Sequence, residues 1–415
     1  MLVGSCLIVL LLSSFSSVTN VADWGFFAHR RINRLAVFTL PPEMAGFYKK
    51  HLEFITEHAV DPDKRRYATK HEGPRHFIDV DHWSDDPFSV VPRNWTDALV
   101  KYAEVYAINF AGDTTLLFSN EITERVGTAF LILNDDARAK LRHDTLNYAT
   151  YRQFFRDKIQ PLYYEDEWSI DGEAFRKIFA DPAIVTDIEK VFFVDGFSEY
   201  GILPYHLDKM LYRLADAFRA QDLNQVLRYS AEIGHYVGDA HVPLHTTENY
   251  NGQMTNQVGI HAFWESRLPE LFADEEYDYF VGKSEYITDP NDYYWQVIQD
   301  SHSYLDSVLL IEKDLRRIFP SDQQFCYEER MNRTIRTQCT EFARAYHKRL
   351  DGQVEARYRA AILSVGDTWY SAWVRAGQPD LTNFGELALT EEEVETNKAT
   401  ESAFEKGQIK GRKHE

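Results

Sequence analysis

The sequence predicts an all-α fold, and three observations carry that prediction. Apolar residues recur at three- and four-residue spacing along most of the chain. Strand-like alternation is rare, with "KVFFV" at 190–194 the best example. Prolines stand where one helical run stops and the next opens, as at Pro41 and Pro42. With 415 residues, of which 44% are hydrophobic and 14% aromatic, the chain can bury a large core.

The first helix follows from "HRRINRLAVFTL", in which Ile32, Leu35 and Ala36 keep the spacing of a buried face. His29 lies one turn before Ile32, on the same inward side. Further helices are expected over 95–109, 204–219, 223–240, 294–318 and about 340–375. Residues 113–195 lose this order in mixed pieces such as "NDDARAKLRHD", and read as an insertion or lid on a helical domain spanning 23–385. The tail 386–415 is charged and nearly free of aromatics, so it reads as solvated or disordered.

Residues 1–22 contain an apolar run from Leu7 to Leu12 followed by serines, and the first basic residue is Arg30. This is the pattern of an export signal without its basic start; an uncleaved anchor or a displaced start is the alternative. Beyond that segment only Cys326 and Cys339 remain, at the two ends of a short polar stretch. An exported chain would pair them, whereas a reducing compartment would leave two thiols. A net charge of −20, from 45 basic and 65 acidic residues, excludes loose charge-driven binding to nucleic acid.

Chemistry concentrates in "GHYVGDAHVPLH" at 234–245. His235 and Asp239 stand at i and i+4, on one helix face, and Pro243 forces a stop so that His245 arrives from the turn beyond. His241 points to another side of the helix. His261 and Glu265 in "HAFWES" repeat the i, i+4 spacing on a second helix. One such pair is usually a surface ion pair; two close together beside apolar residues point to metal. Asp61 and His76 stand at opposite ends of a polar loop, with "RHFID" turning apolar around His76, and "WGFFAH" adds His29 and Trp24.

Taken in order, "WGFFAH", Asp61, "RHFID", "GHYVGDAHVPLH" and "IHAFWE" resemble the ligand series of the zinc-dependent phospholipase C and single-strand-specific zinc nuclease superfamily. The resemblance covers about Trp24 to Glu265 without the long insert, and implies an all-α frame around a cleft holding three zinc ions. It implies that Asp61, His76, His235 and Asp239 hold one ion, and that His245, His261 and Glu265 hold a second. His29, a bridging Asp239 and the amine and carbonyl of Trp24 would hold the third. That last role requires Trp24 as the mature N-terminus, yet Asp23 precedes it with no clean small-residue cleavage site. His and carboxylate ligands without cysteine would also suit manganese or iron.

The resemblance implies metal-assisted hydrolysis of a phosphate ester, with Asp61 as both ligand and orienter of the attacking water. Lys64, Arg65 and Arg66 follow as candidates for stabilising the developing charge, or as a solvated loop tip. Glu265 and the acidic composition favour a phospholipid substrate, with transient contact at a membrane surface; the short "WGFFAH" spacing favours single-stranded nucleic acid as substrate, without a stable complex. Phe77, Trp83, Phe263 and Trp264 suit base stacking, a choline cage or plain core. A zinc-stabilised, non-catalytic binding protein is the reading from a different class.

Overall fold

The computed structural model describes residues 25–125, 128–183, 185–330, 333–385 and 387–410. The core is helical, but three small sheets interrupt it, so the fold is helix-rich rather than all-α. The central frame is the antiparallel pair Leu203–Ala220 and Leu223–Ala240, crossed by Gly25–Ala36 and by the long Gln353–Arg375.

Most expected helices lie where the apolar period places them. The helix Leu223–Ala240 begins at Asp222, whose side chain accepts from the Gln225 backbone N–H at 3.1 Å, so one orphan donor of its first turn is satisfied. Two long runs break in the middle. The segment 294–318 separates into Pro290–His302 and Leu305–Ile318. The segment 340–375 separates into Thr340–Arg349 and Gln353–Arg375, where Asp351 and Gly352 take left-handed conformations at φ of 50° and 78°.

The largest correction concerns the insert. The helix expected over 95–109 stops at Tyr102, and β1 (Glu104–Ile108) begins at once. In "EVYAI" Val105 and Ala107 are buried, a period of two that suits a strand. The next strands are β2 (Thr114–Leu116), β3 (Phe118–Arg125), β4 (Thr128–Leu133), β5 (Thr145–Asn147), β6 (Trp168–Asp171) and β7 (Lys190–Val194). β7 is the "KVFFV" strand. It pairs antiparallel with β1 from Glu104↔Val194 to Ile108↔Lys190, within a sheet of order β2-β1-β7-β6. A second sheet has the order β3-β4-β5. The excursion therefore opens at Glu104 and carries its own sheets.

Two further segments form regular structure. The polar stretch between the two cysteines is a hairpin, Phe325–Arg330 (β8) with Arg333–Gln338 (β9), and Cys326 and Cys339 are disulfide-bonded across its base. In the tail, Glu391–Glu405 is a helix rather than disordered chain, started by a capping box between Thr390 and Glu393. Phe404 on its apolar side packs on Phe26 and Tyr67, and Lys64 pairs with Glu401. Among the described residues no helix is long and apolar enough to cross a membrane.

Candidate metal centre

The first helix and Leu223–Ala240 approach closely because Gly234 and Gly238 have no side chains. A Cβ on Gly234 would lie 2.0 Å from Asn33 Oδ1, and one on Gly238 would lie 3.0 Å from His29 Nδ1. Asn33 uses the gap to donate to the Ala231 carbonyl at 2.9 Å. The same approach stacks His29 on His235, with ring centroids 3.8 Å apart. The two glycines of "GHYVGD" thus set the distance between ligand-bearing helices.

Around Asp239, which is 1% exposed, four histidines converge. His76 Nδ1 lies 3.0 Å and His235 Nε2 3.3 Å from Asp239 Oδ2, and the two imidazole nitrogens are 3.1 Å apart. The other oxygen, Oδ1, faces His29 Nε2 at 3.5 Å and His245 Nδ1 at 3.7 Å. Asp239 is therefore placed between two groups, as a bridging carboxylate would be.

His245 arrives on the short turn Pro243–Thr246, beyond the helix end that Pro243 enforces. Its Nε2 lies 3.0 Å from His261 Nε2, and both approach Glu265 Oε2, at 3.4 and 2.7 Å. Glu265 Oε1 turns back toward His29 Nε2 at 3.7 Å. His261 sits within a single α-turn, Ile260–Ala262, and Glu265 in a π-turn, Phe263–Arg267. Pro269, with no N–H for the Glu265 carbonyl four residues earlier, accounts for the widened turn.

Second contacts fix which nitrogens face inward. His235 Nδ1 donates to the Ala59 carbonyl at 2.8 Å and His245 Nδ1 to the His76 carbonyl at 2.5 Å, so a neutral ring turns its Nε2 lone pair to the cluster. Behind His76, Glu72 Oε1 lies 3.7 Å from Nε2. Glu72 is fully buried and is held by Arg65, Arg75 and the Tyr236 hydroxyl. The spacing of His76 did not draw attention to this carboxylate, although it stands at i−4 of His76 and two arginines flank it.

The acid of the "DPD" turn is the main correction within the site. Asp61 faces outward and pairs with His58 Nδ1 at 2.6 Å. Asp63 takes the inward place, its Oδ1 3.8 Å from both His76 Nδ1 and His235 Nε2. Residues two apart on the helix Asp61–Arg65 point to different sides, so only one can reach the cluster. Ala59 and Val60 are buried, and the inward row from Ala59 runs through Asp63 to Arg66 and Tyr67; that period was available in the sequence.

The remaining sequence-predicted residues divide. Trp24 lies outside the described residues. Lys64 pairs with Glu401, and Arg65 with Glu72 and Glu232; Arg66 Nη1 lies 3.6 Å from Asp63 Oδ1. Phe77, Phe263 and Trp264 are buried core, and Trp83 is partly buried. His241 donates from Nδ1 to the Val237 carbonyl at 2.8 Å, away from the cluster.

Five imidazoles and three carboxylates thus share one buried volume. Burial alone would raise the Asp239 carboxyl, but His235 and His245 hold it well below the usual carboxylate range. Glu265 is held down in the same way by His245 and His261, against the effect of its burial. Burial opposes protonation of His235, yet Asp239 and Asp63 carry it up to about 9. His29 moves the other way, to about 4, because burial and then the neighbouring His235 disfavour its cation. The carboxylates require positive charge, and in the absence of a cation a histidine proton supplies it.

The donor set fits a metal. Close-set groups capable of holding an ion are His76, His235 and Asp239; His245, His261 and Glu265; His29, Asp239 and Glu265; and His29, Asp63 and His235. Compared with protein-family models, curated proteins and solved structures, the chain matches none.

Proposed function

We propose that this chain is a zinc-dependent phosphodiester hydrolase holding up to three ions, with phospholipid as the favoured substrate. One observation supports the reading above others: histidine lone pairs and three carboxylates converge in overlapping groups that share Asp239 and Glu265. Sites that share ligands and keep only three or four protein donors each leave coordination positions for water and substrate, unlike closed structural sites.

Bound zinc would supply a water acidified from about 15.7 toward about 7 and a Lewis acid for phosphoryl oxygens. Asp63 takes the role the sequence pointed to at Asp61. Its side chain is 18% exposed, against 2% for Asp239, so it stands at the open side of the cluster and can orient the attacking water and accept its proton. The Arg66 guanidinium beside it is placed to stabilise charge developing on the phosphate. The Ala59 and His76 carbonyls keep His235 and His245 in one tautomer, and Glu72 supports His76, so these rings need no reorientation during turnover.

Phospholipid is favoured because the acid of the second group is Glu265, as in the phospholipase branch of the family that the ligand series resembles, where the nuclease branch tends to use Asp, and because the chain, at −20, lacks a global attraction for polyanions. The test is a side-by-side assay of phosphatidylcholine, single-stranded DNA and a small phosphodiester with zinc present. Release of phosphocholine at the highest kcat/KM supports the reading. Preferred cleavage of DNA moves the chain to the nuclease alternative, and no turnover of any substrate rejects the enzyme reading.

A further inference from the structure

The insert and the helical body enclose a second cavity, of about 440 Å³, on the far side of the Glu72 network. The insert contributes Arg156, Tyr163 and Tyr164, and the body contributes Trp95, His206 and Lys209. Seams of this kind are where small-molecule sites form, and the volume lies in the range that holds a small ligand.

Three features of the cavity are open to a ligand. His206 is 7% exposed, and its Nε2 has no hydrogen-bond partner among the described residues. Burial and then Arg75 keep its ring neutral, so it offers a hydrogen bond without a charge. Lys209 lines the rim and Arg213 stands four residues further along the same helix, outside the lining; both are exposed, and neither makes an ion pair among the described residues, in a chain with 20 more acidic than basic side chains. Burial, and beyond it Arg213 and Arg75, lower the Lys209 ammonium, which places these three cations in one local field. Tyr164 is 48% exposed at the mouth, although Arg75 and Lys209 lie 5.8 and 6.0 Å from its ring centre.

Exposed cations without an ion pair suit an anion, and the exposed face of Tyr164 suits a planar ring. Asp208 also lines the cavity, and burial and then Asp289 raise its carboxyl; it offers a polar contact for a hydroxyl or ring amine. We propose that this cavity binds an aromatic phosphate monoester of nucleotide size, its phosphate at Lys209 and Arg213 and its ring against Tyr164. The site is separate from the metal centre and does not depend on the reading given to that centre.

The test is calorimetric titration of the full-length, metal-loaded protein with adenosine monophosphate, inorganic phosphate and adenosine. The Lys209→Glu/Arg213→Glu variant should lose about tenfold or more in nucleotide affinity. Tyr164→Ala should lose several-fold. Zinc content and melting temperature of both should match the parent; a Lys209→Gln/Arg213→Gln pair serves if charge reversal disturbs folding. Phosphate or adenosine alone should bind at least about tenfold more weakly than the nucleotide, since each lacks half of the contacts. Nucleotide bound at the metal centre appears as a residual event common to all variants. Equal nucleotide affinity in parent and variants overturns the site, and phosphate binding as tightly as the nucleotide overturns the aromatic half of the assignment.

Discussion

Asp63 Oδ1 stands 3.8 Å from His235 Nε2, while Asp61, two residues earlier, is half-buried and pairs with His58. Two carboxylates in one short helix therefore have separate partners. On the proposed mechanism, Asp63→Asn should lower kcat by about 100-fold or more, since it removes the group that would act on the reacting water. Asp61→Asn should stay within about threefold of the parent, because its half-buried partner is His58 and not a ligand of the cluster. Steady-state kinetics on the two variants check this, and the reverse order would return the role to Asp61.

Glu72 touches no candidate ion directly but lies 3.7 Å from His76 Nε2, on the side away from the cluster. Removing such a second contact typically weakens metal binding about 10–100-fold. Glu72→Gln should show that loss in competition against a chromophoric chelator. Unchanged affinity would mean that the arginines Arg65 and Arg75 bind Glu72 for folding alone.

Gly234 admits the first helix to within contact of Leu223–Ala240, because a Cβ there would lie 2.0 Å from Asn33 Oδ1. Gly234→Ala should destabilise the protein by about 1–3 kcal/mol, the usual range for overpacking. Urea unfolding measures it. The double variant with Asn33→Ala should lose less than the sum of the single losses, because the two residues collide with each other.

His206 gives a pH dependence of definite sign. Burial and then Arg75 hold its folded pKa well below 6.5, so the folded state keeps the ring neutral while the unfolded chain takes up a proton. Its contribution to stability is complete above about pH 6.5 and is lost as the pH falls below that value. His206→Phe should therefore lose less stability than the parent between pH 7.5 and 5.5, by about 1 kcal/mol. Denaturant midpoints of both proteins in one metal-free buffer series measure the difference, and parallel curves would refute it.

Much of the centre was legible in the sequence, for a physical reason. His235 with Asp239 and His261 with Glu265 are i, i+4 pairs, and Pro243 dictates where His245 must turn; the spacing sets each pair, and the packing of the elements brings the five together. Asp63 was hidden because Asp61 and Asp63 are chemically alike, and only the inward row from Ala59 distinguishes them. Glu72 was hidden because its role depends on Arg65 and Tyr236, which come from two different helices. The sheets of the insert were only partly legible. "KVFFV" announces a strand, but "EVYAI" continues a helical run and becomes β1 through pairing with that distant strand. The helix Glu391–Glu405 carries little apolar signal, and Phe404 alone anchors much of it on Phe26 and Tyr67.

The most direct test of the central claim is elemental analysis of the purified full-length protein. The arrangement around Asp239 and Glu265 predicts about two to three zinc ions per chain, falling by about one when His245 is replaced by alanine. Less than about one transition-metal ion per chain, in protein never exposed to chelator, would contradict it.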